Sequence, residues 1–112
     1  MADPSELHRQ HPVEYPAGTA PLDEAEAAAL QAQLDPAWRR DGRRRLRREF
    51  RFRDFRDAFG FAARVALLAE REFHHPELTV AWGAVTVTLW THTADGLTRN
   101  DFILAAKVDR LG

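Results

Sequence analysis

Hydrophobic residues recur with two different spacings along this chain, and each change of spacing marks a predicted element. Residues 23–34 are rich in alanine and begin with acidic side chains, which predicts a helix that Pro36 ends. Over residues 38–52, apolar side chains share one parity and arginines fill most of the other positions. The apolar positions are Leu46, Phe50 and Phe52. This period of two predicts a pair of strands joined near Asp41-Gly42.

The next segment has a helical spacing. From Asp54, a residue type that caps helices, to about Phe73, apolar residues recur at steps of three and four. We therefore expect one long amphipathic helix, which ends before Pro76. Its predicted buried stripe consists of Phe55, Ala58, Phe59, Ala62, Val65, Ala66 and Ala69.

Alternation returns after this helix. Residues 79–82 and 85–92 predict two strands around Gly83-Ala84, and Asp95-Gly96 predicts a turn after them. His92 is then expected at the end of the second strand. A last helix is predicted over residues 98–111, with a buried side made of Ile103, Leu104, Val108 and Leu111.

The predicted order is helix, strand, strand, helix, strand, strand, helix. Hairpins with intervening helices imply an α+β fold, in which three helices pack on one face of a four-stranded antiparallel sheet. This domain is expected over residues 22–112. Residues 1–21 contain four prolines and few apolar side chains, so we expect them to form a disordered N-terminal tail.

Composition excludes several classes of protein. The chain has no cysteine, which removes disulfides, thiolate catalysis and cysteine-ligated zinc. It contains no apolar run that could span a bilayer, and its N-terminus lacks the layout of a secretory signal. We therefore expect a cytoplasmic protein without a membrane partner, and the alanine- and arginine-rich usage suggests a bacterial source.

The formal charge of −1 conceals a basic stretch between Arg39 and Arg53. Basic stripes attract phosphate, so nucleic-acid binding is one possible function. The arginines alternate with apolar residues, however, which is typical of the wet face of a strand. We therefore expect no nucleic-acid partner.

Chemistry is concentrated in residues 70–101. Glu70 and His74 are four residues apart and share a face at the end of the long helix, while His75 follows directly. A helix end and a strand end can bring these imidazoles and His92 around one cavity. Imidazole suits proton transfer near neutral pH, and Asp101 could hold one ring in a fixed tautomer.

Each of these residues also has a structural interpretation. Glu70 could be a solvated helix residue, and His74 and His75 could favour the negative end of the helix dipole. Asp101 lies three residues after Thr98, which is the spacing of a capping box. Zinc bound by Glu70 and His74 is a third possibility. Taken one at a time, the residues leave these alternatives open.

Taken together, they form an ordered motif. An acidic residue, His-His-Pro, an aromatic residue, a histidine and an aspartate follow one another as Glu70, His74-His75-Pro76, Trp82, His92 and Asp101. With its flanks, this motif resembles the pterin-4a-carbinolamine dehydratase family over about residues 22–111. The chain departs from the family pattern at Leu78, Thr93 and Asp95.

The resemblance implies an enzyme that removes water from 4a-hydroxytetrahydropterin to give quinonoid dihydropterin, without a metal or other cofactor. It assigns the catalytic work to His74, His75 and His92. The implied substrate-binding residues are Glu70, Pro76, Trp82 and Asp101. It also implies tetrahydrobiopterin recycling beside an aromatic amino acid hydroxylase, and a homodimer or homotetramer.

The same resemblance leaves a second function open. Relatives on this fold serve as dimerisation or transcriptional cofactors, so a non-catalytic assembly role is the alternative. Its expected docking face on the long helix includes Phe61, Leu67 and Leu68.

Overall fold

The computed structural model describes residues 6–111, which form the seven elements in the order that the sequence predicts. The helices are α1 (Glu24–Gln31), α2 (Phe55–Glu72) and α3 (Arg99–Asp109). The strands are β1 (Arg39–Asp41), β2 (Arg45–Arg51), β3 (Glu77–Ala81) and β4 (Ala84–Leu89). None of the helices within residues 6–111 is long and apolar enough to span a bilayer.

The four strands form one antiparallel sheet in the order β1-β2-β4-β3. In the central pair, Leu46 lies opposite Leu89 and Phe50 lies opposite Val85. These side chains point to the face that the helices cover, and Leu46, Val85 and Leu89 are fully buried. The predicted α+β class, with three helices on one face of a four-stranded antiparallel sheet, is confirmed.

The strand that leads to His92 is shorter than the predicted 85–92. β4 ends at Leu89, Thr91 forms a single bridge with Gly96, and residues 92–94 form a 3-10 turn. The pairing of β2 with β4 ends at Leu46 and Leu89, and beyond it Arg45 contacts Trp90 through its side chain. His92 therefore projects from a turn.

The buried stripe of α2 is rotated from the predicted one. The residues that it buries are Ala58, Phe61, Ala62, Val65, Leu68 and Ala69. Phe61 packs against Phe50 and Phe52 of the sheet, with ring centroids 4.6 and 5.2 Å apart, whereas Phe55 and Phe59 are 48% and 57% exposed. Phe61 is therefore the core residue, because it packs against Phe50 of β2 and Phe52 just after that strand. The expected docking face is wrong in two of its three residues, since Phe61 and Leu68 are buried.

Residues 6–21 follow a defined path over the helices, whereas the sequence predicts them to be part of a mobile tail. Leu7 is 3% exposed and joins the main core, and Lys107 Nζ donates to the carbonyl of His8 at 3.1 Å. One buried leucine and a bond to a backbone oxygen are contacts that composition does not reveal. The first five residues of the predicted tail lie outside the described range. We call residues 6–16 the N-terminal arm.

One arginine of the alternating stretch lies on the helix face of the sheet. Arg48 pairs with Val87 in the register, and its Nη1 bonds to Asp109 Oδ1 at 2.8 Å. The indole N–H of the buried Trp38 donates to both oxygens of the same carboxylate, at 3.0 and 2.8 Å. Burial raises the pKa of Asp109, and the bonds from Trp38 and Arg48 oppose part of that effect. Asp109 thus joins the end of α3 to the sheet.

We predict that Asp109→Ala lowers the free energy of unfolding by about 2–4 kcal/mol, because it leaves Trp38 Nε1 without its acceptor and removes the nearer carboxylate partner of Arg48. Urea denaturation measures the change. The matched control is Glu49→Ala, which removes an exposed ion pair with Arg51 and is expected to cost less than about 1 kcal/mol. Equal losses in the two variants would contradict a stabilising role for Asp109.

Candidate functional site

The three histidines singled out by the sequence line one open cavity of about 900 Å³. His74 and His75 reach it from the segment after α2, and His92 reaches it from the 3-10 turn after β4. The structure therefore brings together imidazoles that lie eighteen positions apart in the sequence. This is the largest group of titratable side chains on the cavity wall.

The end of α2 separates the two adjacent histidines. Phe73 adopts a left-handed conformation with φ of 56°, and the N–H of His74 bonds back to the carbonyl of Ala69 at 3.2 Å. This C-cap geometry stops the helix and turns the chain towards β3. His74 is consequently buried, whereas the side chain of His75 is 58% exposed.

His74 is held by a buried carboxylate. Its Nε2 lies 2.6 Å from Oδ1 of Asp101, whose side chain is 0% exposed. The other carboxylate oxygen accepts from Thr91 Oγ1 and from the backbone N–H of Thr98, both at 2.9 Å. An ionised carboxylate only accepts, so this bond favours the tautomer of neutral imidazole that carries its proton on Nε2 and leaves the lone pair of Nδ1 free. Asp101 also completes the capping box with Thr98. One carboxylate therefore both caps α3 and orients His74, each through a different oxygen.

His92 has a different environment. It is exposed, and its ring lies 4.7 Å from the ring of Trp90, which also lines the cavity. The guanidinium of Arg45 covers Trp90 at 4.1 Å. The His92 ring is tilted by 45° against the indole, and this contact limits the orientation of His92 while leaving it open to water.

None of the four expected substrate-binding residues lines the cavity. Asp101 is fully buried and acts on the site only through its bond to His74. Glu70 is exposed and lies 3.5 Å from His75, so it neighbours the site without entering it. Pro76 lies between the C-cap of α2 and the start of β3. Trp82 lies in the β3–β4 turn and is 70% exposed. Trp82 lies away from the cavity because β3 runs away from the histidines for five residues, about 17 Å, before the chain turns back.

Other cavity residues were not expected from the sequence. Trp90 provides an aromatic wall, and its parity with His92 on the polar face of the strand pattern was the available signal. Glu72 lies beneath His11 of the N-terminal arm, with a 2.9 Å bond between Oε1 and Nδ1. Burial by itself would raise the pKa of Glu72, but the bond from His11 and the nearby Lys107 outweigh it and lower the pKa. No spacing rule points to this pair.

Metal ligation was the third interpretation of the histidines. Across the described part of the chain, no three His, Cys, Asp or Glu side chains are grouped so that they could hold a metal ion. Nε2 of His74 is occupied by Asp101, and His75 lies beside Glu70 at 3.5 Å.

Comparison with known proteins gives a consistent result. A family model described as pterin 4 alpha carbinolamine dehydratase matches residues 20–111. A Rubrobacter xylanophilus protein described as a pterin-4-alpha-carbinolamine dehydratase is 47% identical, over 96% of this chain and 99% of its own. A similarly described protein from Gloeobacter violaceus is 52% identical, over 78% of this chain and 77% of its own.

A solved structure also matches. The crystal structure of a transcriptional coactivator/pterin dehydratase from Brucella melitensis has a TM-score of 0.74 and 42% identity, and the match covers 81% of this chain and 97% of that one. This chain is therefore similar to the dehydratase relatives in sequence, and to the Brucella melitensis protein in both sequence and fold.

The bond between His74 and Asp101 predicts a tautomer that can be measured. In the native protein, long-range ¹H–¹⁵N NMR is expected to show neutral His74 with its proton on Nε2. In Asp101→Asn, an amide N–H can face Nε2 instead, so we expect the proton to move to Nδ1 in a substantial fraction of molecules.

Glu70→Gln is the matched control, because Glu70 neighbours His75 and leaves His74 untouched. An unchanged His74 tautomer in Asp101→Asn would contradict the orienting role of Asp101.

Proposed function

The chain belongs to the pterin-4a-carbinolamine dehydratase family, and on this premise we propose that it is an enzyme that dehydrates 4a-hydroxytetrahydropterin. The product is quinonoid dihydropterin. The observation that supports the proposal is the convergence of His74, His75 and His92 on one cavity.

The reaction needs two proton transfers and no redox step. The C4a–O bond breaks as the N5 lone pair forms the C4a=N5 double bond, and N5 loses its proton. A general acid protonates the departing oxygen to give water, and a general base accepts the N5 proton. Positioned acids and bases contribute about 10²–10⁴-fold to such steps.

His74 is the proposed base. Its bond to Asp101 keeps the proton on Nε2, so Nδ1 is the basic atom available for N5–H. The buried carboxylate also stabilises the imidazolium that forms when His74 accepts the proton. Asp101 acts through His74 and is therefore a positioning residue.

His92 is the proposed acid, and His75 the residue that binds the hydroxylated centre. Both side chains are exposed on the cavity wall, which lets His92 regain its proton from solvent after each turnover. The contact with Trp90 holds the His92 ring near the cavity during that exchange.

This reaction defines a metabolic position. The substrate is the product that an aromatic amino acid hydroxylase releases when it oxidises tetrahydrobiopterin or a related tetrahydropterin. Dehydration returns the pterin to a form that a reductase can recycle. We propose that the enzyme serves this recycling in the cytoplasm.

We predict that His74→Ala and His92→Ala each lower kcat/KM for the carbinolamine by about 10²–10⁴, because each removes one proton-transfer group. Stopped-flow absorbance of chemically generated 4a-hydroxytetrahydropterin measures the rate, with the spontaneous rate subtracted.

His8→Ala is the histidine control, since the His8 side chain lies 3.5 Å from Glu6 and outside the cavity. Native rates in both cavity variants would exclude these histidines from the mechanism.

A docking role is the second candidate, and the outer surface of α2 favours it. Phe55, Phe59 and Leu67 lie on one i, i+4 row of the helix and are 48%, 57% and 71% exposed. Exposed apolar side chains in a row are typical of an interface. We propose that this row mediates assembly into a homodimer or homotetramer.

Phe59→Glu combined with Leu67→Glu is predicted to shift the protein to a smaller species in analytical ultracentrifugation, because charges replace the apolar contact. The matched control is Arg56→Glu, which changes an exposed residue of the same helix. If the native chain already sediments as a monomer, the assembly proposal fails while the dehydratase proposal stands.

A further inference from the structure

The N-terminal arm lies outside the segment that the family model matches, which begins at residue 20. The similarity to the Rubrobacter protein covers 96% of this chain and therefore extends into the arm. The arm is thus an addition to the common domain that at least one relative shares.

The arm is fastened to the domain beside the histidines. The side-chain amide of Asn100 accepts from Val13 N–H at 3.0 Å and donates to Val13 C=O at 2.7 Å, as a neighbouring strand would. Asn100 is 4% exposed and directly precedes Asp101. Two residues before Val13, His11 bonds to Glu72, which also lines the cavity. The bonds at His11 and Val13 hold the arm beside the cavity just before Tyr15.

The arm forms one wall of the cavity. Residues 12–16 line it together with the three histidines. Tyr15 is the aromatic residue among them and is half-buried. Within residues 6–111, its hydroxyl makes no hydrogen bond and its ring forms no aromatic pair. The hydroxyl and the exposed part of the ring are therefore available to a ligand in the cavity.

The proposed substrate needs an aromatic contact for its ring. A pterin is a flat, conjugated double ring, and the histidines act only at C4a and N5. The remaining ring surface must be held so that these two atoms meet the imidazoles, and aromatic side chains bind flat heterocycles by stacking. Trp90 already packs against His92 with the two rings tilted by 45°, and the exposed Phe73 also lines the cavity. Tyr15 is the aromatic side chain that the arm adds to this wall.

Resting on the proposed function, we infer that residues 12–16 of the N-terminal arm are part of the substrate site and that Tyr15 binds the pterin ring. Asn100 is a positioning residue, because it holds the arm at Val13 and so fixes Tyr15. The inference extends the site beyond the domain that the family model describes.

The main test is Tyr15→Ala in the full-length chain. Removal of a stacking contact is expected to raise KM for the carbinolamine and Kd for 7,8-dihydrobiopterin by about tenfold. Because the contact is present in both ground and transition states, kcat is expected to stay within about twofold of native. Stopped-flow absorbance gives kcat and KM, and isothermal titration calorimetry gives Kd.

Two further variants separate binding from folding. Asn100→Ala is expected to raise KM and Kd as Tyr15→Ala does, and to increase tryptic cleavage after Arg9 as the arm loosens. An unchanged NMR tautomer of His74 verifies that the neighbouring Asp101 is undisturbed. Arg9→Ala is the control on the arm, because Arg9 is exposed and lies outside the cavity. It is expected to keep native KM and Kd.

The outcomes distinguish the two proposals. Native KM and Kd in Tyr15→Ala would overturn the inference, as would a fall in kcat with both constants unchanged. If the native chain binds dihydrobiopterin without turning over the carbinolamine, the proposed reaction fails, and a tenfold weaker Kd in Tyr15→Ala still supports the arm as a pterin-binding wall.

Discussion

The buried carboxylate of Asp101 is the constraint on which the rest of the structure depends. A charge without solvent contact needs partners, and Asp101 bonds to His74, Thr91 and the backbone of Thr98. These partners lie after α2, after β4 and at the start of α3. One side chain therefore joins three chain segments and sets the direction of one imidazole. The contacts of Asp101 that hold the domain together are therefore also the contacts that orient His74 in the cavity.

The helix that carries Asp101, α3, lies in the interior of the domain. The helix is buried on nearly all sides, with Phe102, Ile103 and Leu104 each at most 3% exposed. A helix that is apolar around its circumference needs cover on more than one side. The sheet and α2 supply one side, and the N-terminal arm supplies another through Leu7. The arm thus stabilises the helix that carries Asp101 and at the same time reaches the cavity.

The sequence predicts the order of elements and the three histidines, because both are expressed in local spacing. The Thr98–Asp101 interval and the halt at Pro76 are local signals of this kind. It does not predict which end of a hairpin lies at the site, so Trp82 was expected where Trp90 is found. Nor does helical spacing alone choose between Phe59 and Phe61 as the core residue, because that choice depends on Phe50 and Phe52 across the sheet. The arm was missed because its contacts join residues about 90 positions apart.

The different environments of the histidines suit the two halves of the proposed reaction. A base that must act through one defined nitrogen benefits from a rigid, buried partner, and His74 has it in Asp101. An acid that must regain a proton in every cycle benefits from contact with water, and His92 is exposed. The left-handed Phe73 sends His74 inward and leaves His75 at the surface. A single change of backbone direction at the end of α2 therefore gives two adjacent, chemically identical side chains different environments.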